Sequence, residues 1–204
     1  MKKIAFFGGS FNPPSFAHLE IARLTMQNKL ADEFYFVPVG NTYKKPGLID
    51  EKYRLEMLKI MCRDEKNIAV DDIELNKEEK ITAIQAFEMI EKKNNPNNDK
   101  KIFFVMGEDN FLKLPKWENS EKMIEKYKFI IFGSNKKEIE KFIKENENIK
   151  KLKRNFNVIE LQENKLLRSS IIRNQIKQGK YKEVENNTKK GVIDYIIANS
   201  LYEI

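Results

Sequence analysis

Cysteine is almost missing from this chain: Cys62 is the only one in 204 residues. A single thiol closes no disulfide within the chain and anchors no zinc cluster by itself, and such usage fits a reducing cytoplasm. Histidine is equally scarce. His18 stands alone, so any chemistry that needs an imidazole has one address. Trp117 is the only tryptophan. No apolar run approaches the roughly 18 residues of a membrane span, so no membrane partner is expected. The N-terminus, Met1-Lys2-Lys3-Ile4-Ala5-Phe6-Phe7, is basic and then apolar, but Gly8-Gly9 and Pro13-Pro14 interrupt it too soon for a signal-peptide core.

What remains is a composition for a folded domain. Hydrophobic residues make up 41% and charged residues 34%, enough for a real core and too apolar for wholesale disorder. The length suits one α/β domain, read here as a single unit over residues 1–204 with a core to about 165 and a helical part after it. The net charge is +7, from 38 basic and 31 acidic residues. They are interleaved, with no basic stripe, so the excess reads as a solvated surface suited to an anionic ligand; no nucleic-acid partner is expected. Nothing in the sequence indicates an oligomeric state.

Short apolar runs alternate with amphipathic stretches. Strands are expected at Ile4–Phe7, Phe34–Val39, Asn67–Leu75, Ile102–Met106, Phe129–Phe132 and Val158–Leu161. Helical spacing marks His18–Leu30, Asp50–Met61, Thr82–Ile90 and Lys136–Ile149, then Ser170–Lys177 and Gly191–Leu201 with no strand after them. Strand–helix–strand alternation implies a doubly wound, Rossmann-like parallel α/β sheet with helices on both faces and a small C-terminal helical appendage. The Asn94–Asn98 stretch reads as a surface loop.

Two segments carry candidate chemistry. The first, Gly8-Gly9-Ser10-Phe11-Asn12-Pro13-Pro14-Ser15-Phe16-Ala17-His18, leaves the first strand and opens the first helix. Glycines there admit a close backbone approach to phosphate, and a helix N-terminus adds free N–H groups. It is neither a three-glycine dinucleotide fingerprint nor a P-loop, which would close on Gly-Lys-Ser/Thr. Ser15 is placed to cap the helix and His18 to sit one turn on. Structurally, the same residues make a glycine turn with a capping serine. The second segment, Leu167-Arg168-Ser169-Ser170-Ile171-Ile172-Arg173, puts two hydroxyls at a helix start and a guanidinium one turn later, a set that can clamp phosphate. Cys62 falls in an apolar helical pattern and reads as buried and inert.

Together, in this order, the two segments resemble the nucleotidyltransferases with the (His/Thr)-x-Gly-His signature, above all bacterial nicotinate mononucleotide adenylyltransferase. That family reads Gly-Gly-(Ser/Thr)-Phe-Asp-Pro-x-His-x-Gly-His at the first site and Ile-Ser-Ser-Thr-x-Ile-Arg at the second. Three further stretches resemble it: Met106-Gly107-Glu108-Asp109 with Leu114-Pro115-Lys116-Trp117, Tyr43-Lys44 with Arg54-Leu55-Glu56-Met57-Leu58, and the ending Val192, Tyr195-Ile196, Leu201-Tyr202. The chain departs from the pattern at Ser15, Ala17, Asn12 and Tyr43, and at Lys80-Ile81 before Thr82.

The resemblance implies adenylyl transfer from ATP to nicotinate mononucleotide, in the biosynthesis of NAD. His18 would donate to the α-phosphate, aided by Ser15 and Arg173. Gly8, Gly9, Ser10, Phe11, Ser169 and Ser170 would hold ATP, with Gly107 and Asp109 at the ribose. Lys44 would meet the mononucleotide's phosphate, Trp117 would stack on its pyridine ring and Thr82 would lie near its carboxylate. Mg2+ would be bound mainly through substrate phosphates, with no protein metal ligands. Nicotinamide mononucleotide or phosphopantetheine as acceptor, and a non-catalytic nucleotide-binding paralogue, stay open as alternatives.

Overall fold

The computed structural model describes residues 1–162 and 169–203. Six strands form one sheet: β1 (Lys2–Gly9), β2 (Glu33–Pro38), β3 (Ile68–Val70), β4 (Lys100–Gly107), β5 (Lys128–Gly133) and β6 (Phe156–Glu160). Their spatial order is β3-β2-β1-β4-β5-β6, and every neighbouring pair is parallel. The order reverses between β1 and β4, and the crevice at the carboxyl ends of those two strands is where doubly wound sheets take ligands.

Ten helices cover the sheet among the described residues: α1 (Phe16–Gln27), α2 (Glu51–Cys62), α3 (Ala83–Asn94), α4 (Glu108–Phe111), α5 (Ser120–Lys126), α6 (Lys136–Glu145), α7 (Glu147–Lys150), α8 (Ser169–Lys177), α9 (Tyr181–Val184) and α10 (Lys190–Ala198). None is long and apolar enough to cross a membrane. Alternation along the strands divides the apolar residues between two cores. Ala5, Phe34, Phe36, Phe103, Val105, Ile130 and Phe132 face α1 and α2. Ile4, Phe6, Phe104, Met106, Phe129 and Ile131 face the helices after β3 and β4. The C-terminal helices do more than border the sheet. Their Ile172, Ile176, Val184, Val192, Ile193 and Ile196 join the first core, and α10 packs on α2.

Two expected elements are shorter than their apolar patterns. The apolar pattern predicts one strand over Asn67–Leu75, but pairing stops at Val70. The next residue, Asp71, folds back to accept from the Ile73 N–H at 3.1 Å and from Lys93 Nζ at 2.8 Å. The helix expected over Lys136–Ile149 breaks at Asn146. The Asn146 backbone is extended there, and its side-chain oxygen accepts from the N–H groups of Asn148 and Ile149, starting a new turn.

Candidate active site

β1 delivers Gly8 and Gly9 to the crevice, and the loop after them turns at Phe11, whose φ is +44°. The two glycines do different work. A Cβ on Gly9 would come within 2.9 Å of the Phe11 ring, so Gly9 is bare because that ring lies across it. A Cβ on Gly8 would meet nothing within 4 Å, which leaves open space at the strand end. Gly107, at the end of β4 across the switch point, has the same open space. The Phe11 side chain, expected at the nucleotide, turns inward instead: it is 2% exposed and packs edge-on against Phe7, Phe36 and His18.

Ser15 caps α1, as its residue type predicts, and also positions the only imidazole. The Ser15 backbone N–H donates to His18 Nδ1 at 3.0 Å, and the Ser15 hydroxyl lies 2.8 Å from the same nitrogen. Accepting from a backbone N–H requires a bare Nδ1, so the neutral ring carries its proton on Nε2. The rings of Phe7 and Phe11, at 6.1 and 5.1 Å, take water away from it, and this burial lowers the His18 pKa from 6.5 to about 4. At neutral pH His18 is therefore an uncharged donor held in one orientation. Ser15 is fully buried, with its hydroxyl turned toward His18. The sequence placed Ser15 against phosphate; the structure makes it the residue that aims His18.

The second motif closes on the same loop, some 155 residues away in sequence. Three successive carbonyls of the loop are claimed by the C-terminal part. Arg173 Nη1 donates to Asn12 O at 2.7 Å, the Ser169 hydroxyl to Pro13 O at 2.8 Å, and the buried Thr188 hydroxyl to Pro14 O at 3.0 Å. The Phe16 N–H donates to Asn187 O at 2.8 Å, and Tyr202 donates its hydroxyl proton to Asn12 Oδ1 at 2.8 Å. Ser169 and Arg173 thus shape the phosphate-type loop. A guanidinium has five N–H donors, so one such bond does not exhaust Arg173. Ser170 is exposed in the first turn of α8, while Leu167 and Arg168 lie outside the described residues.

Sequence reasoning passed over what α2 contributes. Arg54 is fully buried, yet its partners are backbone carbonyls: Nε donates to Ile49 O at 2.9 Å, Nη1 to Ser10 O at 3.1 Å and Nη2 to Val39 O at 2.6 Å. A guanidinium inside the apolar stripe formed with Met57, Leu58 and Met61 is the signal that marks it. It joins the loop after β1 to the loop after β2. Lys45, on the second of these loops, reaches Ser10 Oγ at 3.5 Å.

The expected acceptor-side residues all follow carboxyl ends of strands. Lys44 is exposed on the loop after β2. Thr82 is half-buried as the N-cap of α3, its hydroxyl tied to Gln85. Trp117 is half-buried, follows the turn Leu114–Lys116 and rests on the second core. Asp109 is exposed in the first turn of α4, beside Gly107. Among the described residues no group of three His, Cys, Asp or Glu could hold a metal ion. The geometry is that of a crevice able to hold polyanions, with backbone amides, hydroxyls and basic side chains around one neutral imidazole.

Comparison with known proteins gives this arrangement a family. The cytidylyltransferase-like family model matches residues 6–175. A Clostridium acetobutylicum protein named probable nicotinate-nucleotide adenylyltransferase is 32% identical over 208 residues, spanning 99% of this chain and 100% of its own. A Hydrogenobaculum protein of the same name is 33% identical, spanning 98% of this chain and 97% of its own. Among solved structures, Plasmodium falciparum nicotinic acid mononucleotide adenylyltransferase complexed with NaAD superposes with a TM-score of 0.79 at 22% identity, covering 100% of this chain and 98% of that one. The last likeness is one of fold. The sequence relatives carry the assignment: the chain belongs to the cytidylyltransferase-like family and, within it, to the nicotinate-nucleotide adenylyltransferases.

Proposed function

We propose that the chain transfers the adenylyl group of ATP to the phosphate of nicotinate mononucleotide, giving deamido-NAD and pyrophosphate. A phosphate oxygen of the mononucleotide bonds to the α-phosphorus, and the bond from that phosphorus to the bridging oxygen of pyrophosphate breaks. The attacking oxygen is already anionic, so no general base is needed. The protein must align two polyanions that repel each other and stabilise the charge that grows on the leaving group.

The observation that carries this reading is the neutral, pre-aimed His18 at the open end of β1. Its Nε2–H donates to the α-phosphate or to the departing oxygen, and Ser15 holds it there. Backbone N–H groups at Gly8, Gly9, Ser10 and Ser169, with the Ser170 hydroxyl and the remaining donors of Arg173, hold the β- and γ-phosphates. Gly107 leaves room for the ribose, and Asp109 accepts from its hydroxyls. Lys44 pairs with the mononucleotide's phosphate, Trp117 stacks on the pyridine ring, and Thr82 borders its carboxylate. Mg2+ bound with ATP would supply charge neutralisation at the phosphates, and the residues named here would leave its coordination to substrate oxygens and water.

The test is pyrophosphate release from Mg-ATP with nicotinate mononucleotide, nicotinamide mononucleotide and phosphopantetheine run in parallel. The nicotinate compound should give the highest kcat/KM. Preference for either other acceptor would move the substrate assignment, and silence with all three would contradict catalysis.

A further inference from the structure

From Glu51 and Gly40 we infer that the two acceptor-side loops, residues 39–50 after β2 and 71–82 after β3, are joined before any ligand arrives. Glu51 is the staple, and so a positioning residue for acceptor binding. The inference rests on the placement of Lys44 and Thr82 at the mononucleotide proposed above. Glu51 begins α2 and is 8% exposed. Its carboxylate spans the loops: Oε2 accepts from the Asn41 N–H at 2.6 Å and Oε1 from the Asn76 N–H at 2.8 Å. Asn41 returns the contact, its Oδ1 accepting from the Glu51 N–H at 2.8 Å. Both carboxylate oxygens therefore take backbone amides from different loops, and such charge-assisted bonds are the stronger kind.

Gly40 is a second, independent sign that the loops are fitted to each other. A Cβ there would lie 2.6 Å from Glu74 O on the other loop and 3.2 Å from Glu51 Oε2. A backbone oxygen cannot swing aside as a flexible side chain can, so only glycine permits this approach. Asn76 takes the left-handed conformation, φ +55°, that presents its N–H to Glu51. Loops tied in this way have less freedom left to lose when a ligand binds, which favours the ligand they serve. That ligand is the mononucleotide. The ATP-side loop shares Arg54 with residues 39–50, but the C-terminal bonds to it at Asn12–Pro14 do not pass through Glu51.

The experiment uses Glu51→Gln and Gly40→Ala in the full-length protein. Glutamine keeps the shape but offers one acceptor oxygen, so one of the two amides faces an NH2 group instead. KM for nicotinate mononucleotide should rise on the order of tenfold in both variants, with KM for ATP and kcat changed less than about threefold. Amide hydrogen exchange without ligand should quicken at Asn41 or Asn76 in Glu51→Gln, with the amides of β1 and β4 unchanged. Equal rises in both KM values, or none, would overturn the positioning role. Unchanged exchange at both amides would overturn the staple itself. If the wild-type chain does not use the mononucleotide, the proposed function fails, and the exchange result alone then decides whether Glu51 joins the loops.

Discussion

His18 does not behave as an ordinary surface histidine would. Ser15 fixes its tautomer, Phe7 and Phe11 strip its water, and its pKa falls to about 4. Because it is the only histidine, one imidazole signal in an NMR titration of the free protein reports it. The signal should titrate near pH 4; a midpoint near 6.5 would contradict the half-buried, neutral ring. Linkage gives the sign for stability. The unfolded chain takes up this proton first as pH falls, so the contribution is complete above about pH 6.5. It is lost progressively as pH drops toward 4, up to roughly 3 kcal/mol in all. A urea midpoint series at constant ionic strength, comparing wild type with His18→Ala, isolates that share. The wild type should lose more stability than the variant over this interval.

Helix α2 shows how one element can organise a site it does not line with reacting groups. Its first turns carry Glu51 and Arg54, both buried and both spent on the backbone of loops. Replacing Arg54 by methionine keeps the apolar stem but leaves the carbonyls of Ser10, Val39 and Ile49 without this donor. The cost should be at least about 3 kcal/mol, a fall in melting temperature of roughly 6–12 °C for a chain of this size. KM for ATP should rise as the loop at Ser10 loosens. A melting temperature within about 2 °C of wild type would mean that water replaces the guanidinium without penalty. The C-terminal helices act in the same manner on the other side of that loop. Tyr202→Phe removes only the proton donated to Asn12 Oδ1, and should cost about 1 kcal/mol by thermal melting with the core packing kept. No loss would take Tyr202 out of the account.

Across the whole molecule, periodicity made the architecture legible. Continuous apolar runs marked all six strands because both sheet faces are covered, and the alternation with helices implied the parallel order. Boundaries failed where a short polar side chain intervened, at Asp71 and at Asn146, since a local bond there outcompetes the pattern. The site was legible where residue type suffices. The glycines of β1, Ser15, Ser169 and Arg173 stand out by residue type, and the fold brings their two motifs onto one loop. What sequence hid were directions. Phe11 points into the core, the Ser15 hydroxyl faces His18, Glu51 looks like an ordinary helix-surface charge until the loops around it are in place, and the apolar stripe marks Arg54 as buried but not which carbonyls it holds.

His18 is the proposed donor to the reacting phosphate, and one comparison bears on that role most directly. Pyrophosphate release from Mg-ATP and nicotinate mononucleotide would be followed for the wild type and for His18→Ala, both at saturating substrates. The wild type should turn over, and the variant should fall on the order of a hundredfold in kcat while keeping its fold by circular dichroism. Near-normal turnover in a folded variant would remove the imidazole from the mechanism, and with it the reading of this crevice.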